Sequence, residues 1–199
     1  MKVTIDLDDT LLPFVASWNK WLFETGKVNE IPSTEEVLSW TWHVDTFGTE
    51  SLEYFLNTPS NPYNTIKPYT GADEFINHCI KNFEDVEILT SCINENFFKE
   101  KLKFCEREFD FDRVIPCYTH SDKFKKTKGR VLIDDYPVQI INHIVHNNSP
   151  GIIFNKQQKY GWGKLIDYKN MIAEMTPDMK LLHVASDYAD VIQQLEVIK

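Results

Sequence analysis

Three carboxylates and a hydroxyl close the first apolar run of the chain, Lys2-Val3-Thr4-Ile5-Asp6-Leu7-Asp8-Asp9-Thr10. Carboxylates gathered at one strand tip repel one another and lose hydration, so stability alone gives no reason to cluster them. A hard cation such as Mg2+ removes the repulsion and leaves one carboxylate available as a nucleophile, which is chemistry suited to phosphate esters. Partners stand at the ends of other apolar runs. Val86-Glu87-Ile88-Leu89 closes on Thr90-Ser91, and Val131-Leu132-Ile133 closes on Asp134-Asp135, with Ser121-Asp122-Lys123 between them.

Each group alone has a plainer reading. Asp-Asp-Thr at a strand end can cap a helix, and so can Thr90. Lys123 sits with Lys125, Lys126 and Lys128 in what reads equally as a solvated basic loop. Asp9 is expected to turn away from any metal and cap the following turn. The order of the groups carries the argument. If the runs are parallel strands, their carboxyl ends share one rim, where ligands of such sheets bind.

The elements needed are present. Short runs rich in Val, Ile and Leu at 3–7, 86–91, 113–117, 130–133 and 151–154 read as buried parallel strands. Amphipathic stretches at 71–82, 94–109, 138–146, 162–175 and 186–198 read as helices. This alternation predicts an α/β fold, a Rossmann-like parallel sheet flanked by helices. Residues 14–68 break it with helical patterns at 14–25, 34–39 and 49–56, then a Pro/Asn-rich return ending at Tyr63. The expected division is a core of 1–13 and 69–199 with a small all-helical cap at 14–68. Such a lid excludes water and selects substrate. Trp18, Trp21 and Leu22, at helical spacing, read as lid core.

Composition narrows the function. At 199 residues, 42% hydrophobic and 13% aromatic, the chain can bury a sizeable core. A net charge of −9 leaves no basic excess to neutralise a nucleic-acid backbone. Cys79, Cys92, Cys105 and Cys117 show neither a CxxC pair nor a disulfide framework and read as free thiols of a reducing compartment. The chain opens directly on the motif strand, with no apolar leader or membrane-length segment, so a cytoplasmic location is expected. The expected partner is a small phosphorylated molecule rather than nucleic acid or membrane; a homodimer stays open. His143 and His146, at helical spacing, are read as core or surface residues.

Asp6-Leu7-Asp8-Asp9-Thr10, Thr90, Lys123 and Asp134-Asp135 together resemble, in order, the four motifs of the haloacid dehalogenase (HAD) superfamily of phosphohydrolases. Within it the chain is similar to the 5'(3')-deoxyribonucleotidases, through Asp6 to Phe14, Ile88-Leu89-Thr90-Ser91-Cys92, and Ser121-Asp122-Lys123 followed by Val131 to Asp135. It departs from them at Asp9-Thr10, where they carry Gly-Val, and at Cys92, where they carry Pro. The resemblance implies an HAD-like core and a Mg2+-dependent phosphoric monoester hydrolase of 5'-nucleotidase type. Asp6 would be the nucleophile forming an aspartyl-phosphate, and Asp8 the general acid and base. The strand period of two would set Asp6 and Asp8 on one side if the chain stays extended there. Mg2+ would be held by Asp6, the Asp8 carbonyl and Asp135, with Asp134 in the outer sphere. Thr90, Ser91 and Lys123 would bind the phosphoryl group. Phe14 and Tyr63 would contact the base, where the nucleotidases carry aromatics. Competing readings are a phosphatase for another small phosphomonoester or a polynucleotide 3'-phosphate, and a nucleotide-binding protein without turnover.

Overall fold

A computed structural model describes residues 1–37, 42–57, 61–154 and 172–199. Six parallel strands form one sheet: β1 (Lys2–Ile5), β2 (Asp85–Ser91), β3 (Val114–Cys117), β4 (Val131–Asp134), β5 (Gly151–Phe154) and β6 (Leu182–Ala185), in the order β3-β2-β1-β4-β5-β6. Val3 and Ile5 of β1, and all of β4 and β5, are buried, so both faces must be covered and the strands read as unbroken apolar runs. In register, Ile5 lies between Ile88 of β2 and Ile133 of β4. The chain runs outward from β1 to β3 on one side and from β4 to β6 on the other. The order therefore reverses between β1 and β4, and the crevice for a ligand opens at their carboxyl ends.

Between β1 and β2 come the helices α1 (Phe14–Glu24), α2 (Trp42–Phe47), α3 (Thr49–Asn57), α4 (Pro62–Thr65) and α5 (Ala72–Asn82). Helix α6 (Glu95–Phe109) connects β2 to β3, a 3-10 segment at His120–Lys126 precedes β4, α7 (Pro137–Asn147) connects β4 to β5, and α8 (Tyr188–Ile198) closes the chain. Local chemistry fixes the ends. Asn94 accepts from the Phe97 amide at 2.9 Å to start α6, and Asp110 stops it in the left-handed conformation. Proline opens α7 at its first position. Gly151 lets that helix lie close on β5, since a Cβ there would meet Ile140 Cγ2 at 2.7 Å.

Among the described residues of the inserted segment there is no strand, as expected. Trp18, Trp21 and Leu22 are buried, and they share one apolar cluster with Val3, Ile5 and Ile88 of the sheet and with Phe55. The inserted helices thus add to the sheet's core. Strand β6 was not among the sequence-derived elements: it is an edge of four residues, only one of them buried, and short half-exposed strands carry little periodicity. The helix expected at 162–175 lies largely outside the described residues. Strand β1 ends at Ile5, two residues earlier than the apolar run, because Asp9 turns into the left-handed region at φ 57.

The sheet is stitched at its amino end by Arg130. Its guanidinium donates to Thr4 Oγ1 (2.7 Å), Asp85 Oδ2 (2.5 Å) and the Val3 carbonyl (3.0 Å), while Thr4 donates to Glu87 Oε1 (2.9 Å). Hydrogen bonds from Arg130 and Arg113 hold the Asp85 carboxyl below its usual range. Burying Glu87 in β2 is tolerable because this network supplies its partners.

Two histidines are fixed neutral by burial. His43 Nε2 lies 2.6 Å from Asn19 Oδ1, a carbonyl oxygen, so that nitrogen donates. His143 donates from Nε2 to the Pro150 carbonyl (3.2 Å) and accepts at Nδ1 from Thr127 (2.7 Å). Burial pushes both down to about 4. The unfolded chain then binds protons that the native state refuses between pH 6.5 and 4, so their contribution to stability is present above 6.5 and lost as pH falls through that window. For His143, fully buried, the loss is roughly 3 kcal/mol at most. NMR titration should give both rings midpoints near 4. Replacing His143 by Gln should flatten the fall in stability between pH 6.5 and 4, measured by urea unfolding.

Candidate active site

At the β1/β4 crevice the chain leaves β1 in a tight loop. The Asp6 amide still pairs with the Ile133 carbonyl (2.8 Å), the Leu11 amide returns to Leu7 O (2.8 Å), and the Asp9 amide reaches Leu12 O (2.7 Å). Asp9 accepts from the Val15 amide (3.1 Å), capping α1, while its charge still bears on Asp135. The extended path that would set Asp6 and Asp8 on one side by strand period is therefore not the path taken. The loop instead sends the two carboxylates to different partners.

Asp6 faces β4. Lys123, 2% exposed, donates to Asp6 Oδ1 and to Asp134 Oδ2, both at 2.5 Å. Asp134 also accepts from the Tyr136 amide (2.9 Å), so both its oxygens are engaged. The Asp135 amide donates to Thr10 Oγ1 (3.1 Å), and Tyr188 of α8 donates to the Thr10 carbonyl (2.8 Å), tying the motif loop to the last helix. Asp6, Asp134 and Asp135 offer ligand atoms within 4.8 Å of one another.

Asp8 faces β2 and α6. Its Oδ1 accepts from the Tyr63 hydroxyl (2.8 Å) and its Oδ2 from Lys101 (2.5 Å). Lys101, with no exposed surface, also donates to Thr90 Oγ1 (2.8 Å) and the Ser91 carbonyl (2.6 Å), which uses all three of its protons. Its ammonium lies 4.6 Å from the centre of the Phe97 ring.

Sequence reasoning did not single out Lys101, because it lies in a charged run, Lys99-Glu100-Lys101-Leu102-Lys103. The signal was its position four residues from Phe97 and four from Cys105, within the apolar stripe of α6. Of the anticipated residues, Asp6, Lys123, Asp134 and Asp135 come together, and Asp8 and Thr90 meet through Lys101. Phe14 lines a cavity next to Asp8. Tyr63 is placed otherwise: its ring packs on Phe14, Phe97 and Phe104, and its hydroxyl is given to Asp8. Of the competing lysines, Lys125 pairs with Asp122 at the surface.

The electrostatics follow from counting. Asp6, Asp8, Asp134 and Asp135 against Lys101 and Lys123 leave a formal −2 in a buried site. Burial therefore pushes Asp6 up to about 7, with Asp134 and Asp8 adding to the rise and Lys123 opposing it. Burial, with Asp134, Asp9 and Asp6, pushes Asp135 well above the carboxylate range. Burial works against the Lys123 charge, yet Asp134 and Asp6 hold that lysine above its ordinary value. An oxygen-liganded divalent cation would cancel the excess, and the donor set, three carboxylates at one point, fits such an ion.

No family model and no curated protein sequence matches the chain. Solved structures do match its fold. An HAD family hydrolase of Deinococcus radiodurans R1, with bound phosphate and sodium, superposes with a TM-score of 0.66 at 11% identity, over 99% of this chain and 95% of that one. A haloacid dehalogenase-like hydrolase of Burkholderia xenovorans LB400 gives 0.61 at 14% identity, over 96% and 94%. A hydrolase of Pseudomonas syringae gives 0.62 at 15%, over 100% and 99%. The chain has the fold of HAD hydrolases over nearly its whole length.

A cation entering this cluster displaces the protons that burial keeps on Asp6 and Asp135. Mg2+ binding should therefore release protons and weaken as pH falls below about 7, by up to tenfold per unit for each proton displaced. Calorimetry in buffers of different ionisation enthalpy measures both. Affinity unchanged between pH 8 and 6 would remove these carboxylates as ligands.

Proposed function

We propose that this chain is a Mg2+-dependent phosphomonoesterase of the HAD superfamily, with Asp6 as nucleophile. The observation that carries this reading is the Asp6–Lys123–Asp134 ion-pair chain beside Asp135, at the one place where the strand order reverses. Asp6, Asp134 and Asp135 would hold the cation, which when bound screens the carboxylates and the phosphoryl oxygens. Asp6 attacks phosphorus and the ester oxygen leaves; water then attacks the aspartyl-phosphate and frees phosphate. Asp8, its carboxyl plane fixed by Tyr63 and Lys101, protonates the leaving oxygen and later takes the proton of the water. Lys123 and Thr90 hold the phosphoryl oxygens, and Lys101 brings a second buried positive charge to Thr90. The inserted helices cover this rim and select substrate. No helix among the described residues is long and apolar enough to cross a membrane, and four buried, free cysteines suit a reducing cytoplasm.

A 5'-nucleotidase acting on nucleoside monophosphates is the second reading. What favours it, besides the motif resemblance, is an aromatic wall at Phe14 beside Asp8, since every nucleobase offers a π-face.

Replacing Asp6 by Asn should lower kcat on p-nitrophenyl phosphate by more than about 10³-fold and prevent trapping of a phosphoenzyme, while circular dichroism stays unchanged. Turnover at the wild-type rate would exclude the covalent route. Replacing Lys101 by Met keeps the stem against Phe97 and removes the charge. It should cut kcat by about 10²- to 10³-fold, by analogy with losing one transition-state donor.

A further inference from the structure

A cavity of about 220 Å³ opens beside Asp8, walled by Phe14, Trp18, Leu52, Ile93, Phe97 and Tyr118 among others. It is the cavity that adjoins the proposed acid and base, Asp8, and so offers a place for the group esterified to the phosphate. Among the described residues of its wall, Asp8 is the only charged side chain, and there is no amide or imidazole. Its other polar atoms are largely spent inside the protein. The Cys92 thiol donates to Thr90 O (3.5 Å), the Cys117 thiol to Thr119 O (3.1 Å), and the Tyr118 hydroxyl to Glu95 (2.5 Å). Asp8 is taken by Tyr63 and Lys101. Trp18 Nε1–H has no acceptor among the described residues, but that atom is itself buried out of a ligand's reach.

A ligand atom that would hydrogen-bond in water loses that bond in such a wall, at a cost that discriminates strongly against polar groups. A nucleobase carries several such atoms, and a sugar adds hydroxyls. Size points the same way, since an apolar cavity of about 150 Å³ already holds a benzene ring. We infer that the physiological substrate is the phosphate ester of a compact, ring-sized apolar alcohol. This rests on the phosphomonoesterase reading and narrows it away from nucleotides.

The test separates the two. With Mg2+ present, acetyl phosphate, benzyl phosphate, 4-acetylbenzyl phosphate and the deoxynucleoside monophosphates are compared for kcat/KM. Binding of methyl-, butyl-, benzyl- and 4-acetylbenzylphosphonate is measured by calorimetry, independently of turnover. The inference expects benzyl phosphate to exceed every nucleotide by at least tenfold, and phosphonate affinity to rise roughly fourfold per buried methylene. 4-Acetylbenzylphosphonate, whose carbonyl loses its bond to water in this wall, should bind about fivefold or more weakly than benzylphosphonate. Leu52→Gln should weaken benzylphosphonate and leave methylphosphonate unchanged. Any nucleotide matching benzyl phosphate, or phosphonate affinity flat with chain length, overturns the inference while phosphatase activity stands. Hydrolysis of none of these esters, nor of the more reactive acyl phosphate, acetyl phosphate, removes the phosphomonoesterase reading itself.

Discussion

A buried excess of negative charge at the carboxyl ends of β1 and β4 is the constraint around which this molecule is arranged. Four carboxylates share a largely buried site, and only two ammonium groups accompany them. Isolated ions are never buried without partners, since desolvation costs several kcal/mol for each. The two lysines are accordingly among the most deeply buried residues of the chain. They are delivered from opposite sides, Lys123 from the 3-10 segment before β4 and Lys101 from the middle of α6. Ionising all four would leave −2, so burial favours protons on Asp6 and Asp135 in the apo site, and a cation could take the place of those protons; that poise is characteristic of function rather than of packing.

The rest of the sheet compensates. At its amino end Arg130 draws Asp85, Glu87 and Thr4 into a satisfied network across β1 and β2, so the strands that carry the strained end are locked at the other. Tyr188 reaches from the last helix to the Thr10 carbonyl, holding the loop whose Thr10 hydroxyl accepts from the Asp135 amide. The sheet, the final helix and the inserted helices thus all terminate on one loop, residues 6–12. Its geometry is over-determined, as a reaction centre requires.

The core of this arrangement was legible in the sequence wherever a group was announced by its position after an apolar run. Asp6, Thr90 and Asp134-Asp135 close strands whose period and composition are unambiguous, so the parallel fold and the rim followed together. Lys123, delivered by the 3-10 segment, was found through the motif resemblance, and groups announced by neither signal were not legible. Lys101 comes from a helix whose surface is crowded with lysine and glutamate, and charge run alone reads as solvated. Its burial shows only when the helix is wound and the residue falls between Phe97 and Cys105. Tyr63 was placed near the site by its aromatic character, but its hydroxyl, not its ring, is what reaches Asp8. The two-residue spacing of Asp6 and Asp8 was read as a strand's alternation, whereas a left-handed turn at Asp9 does the positioning.

That turn has a consequence for how the two halves of the site are coupled. Because the loop sends Asp6 toward β4 and Asp8 toward α6, each carboxylate is held by its own lysine, and neither lysine bridges both. Asp6 is therefore oriented by a strand-end network that does not involve the inserted helices. Asp8 is oriented by Tyr63, the first residues of α4, and by the α6 side chain that also holds Thr90. Asp8 shares its supports with the wall of the cavity, since Phe97 lies against Lys101, Tyr63 and the cavity at once. The contacts that fix Asp6, from Lys123 and the end of β4, lie outside that wall. One aromatic ring thus ties the cavity to Asp8, while Asp6 stands on separate foundations.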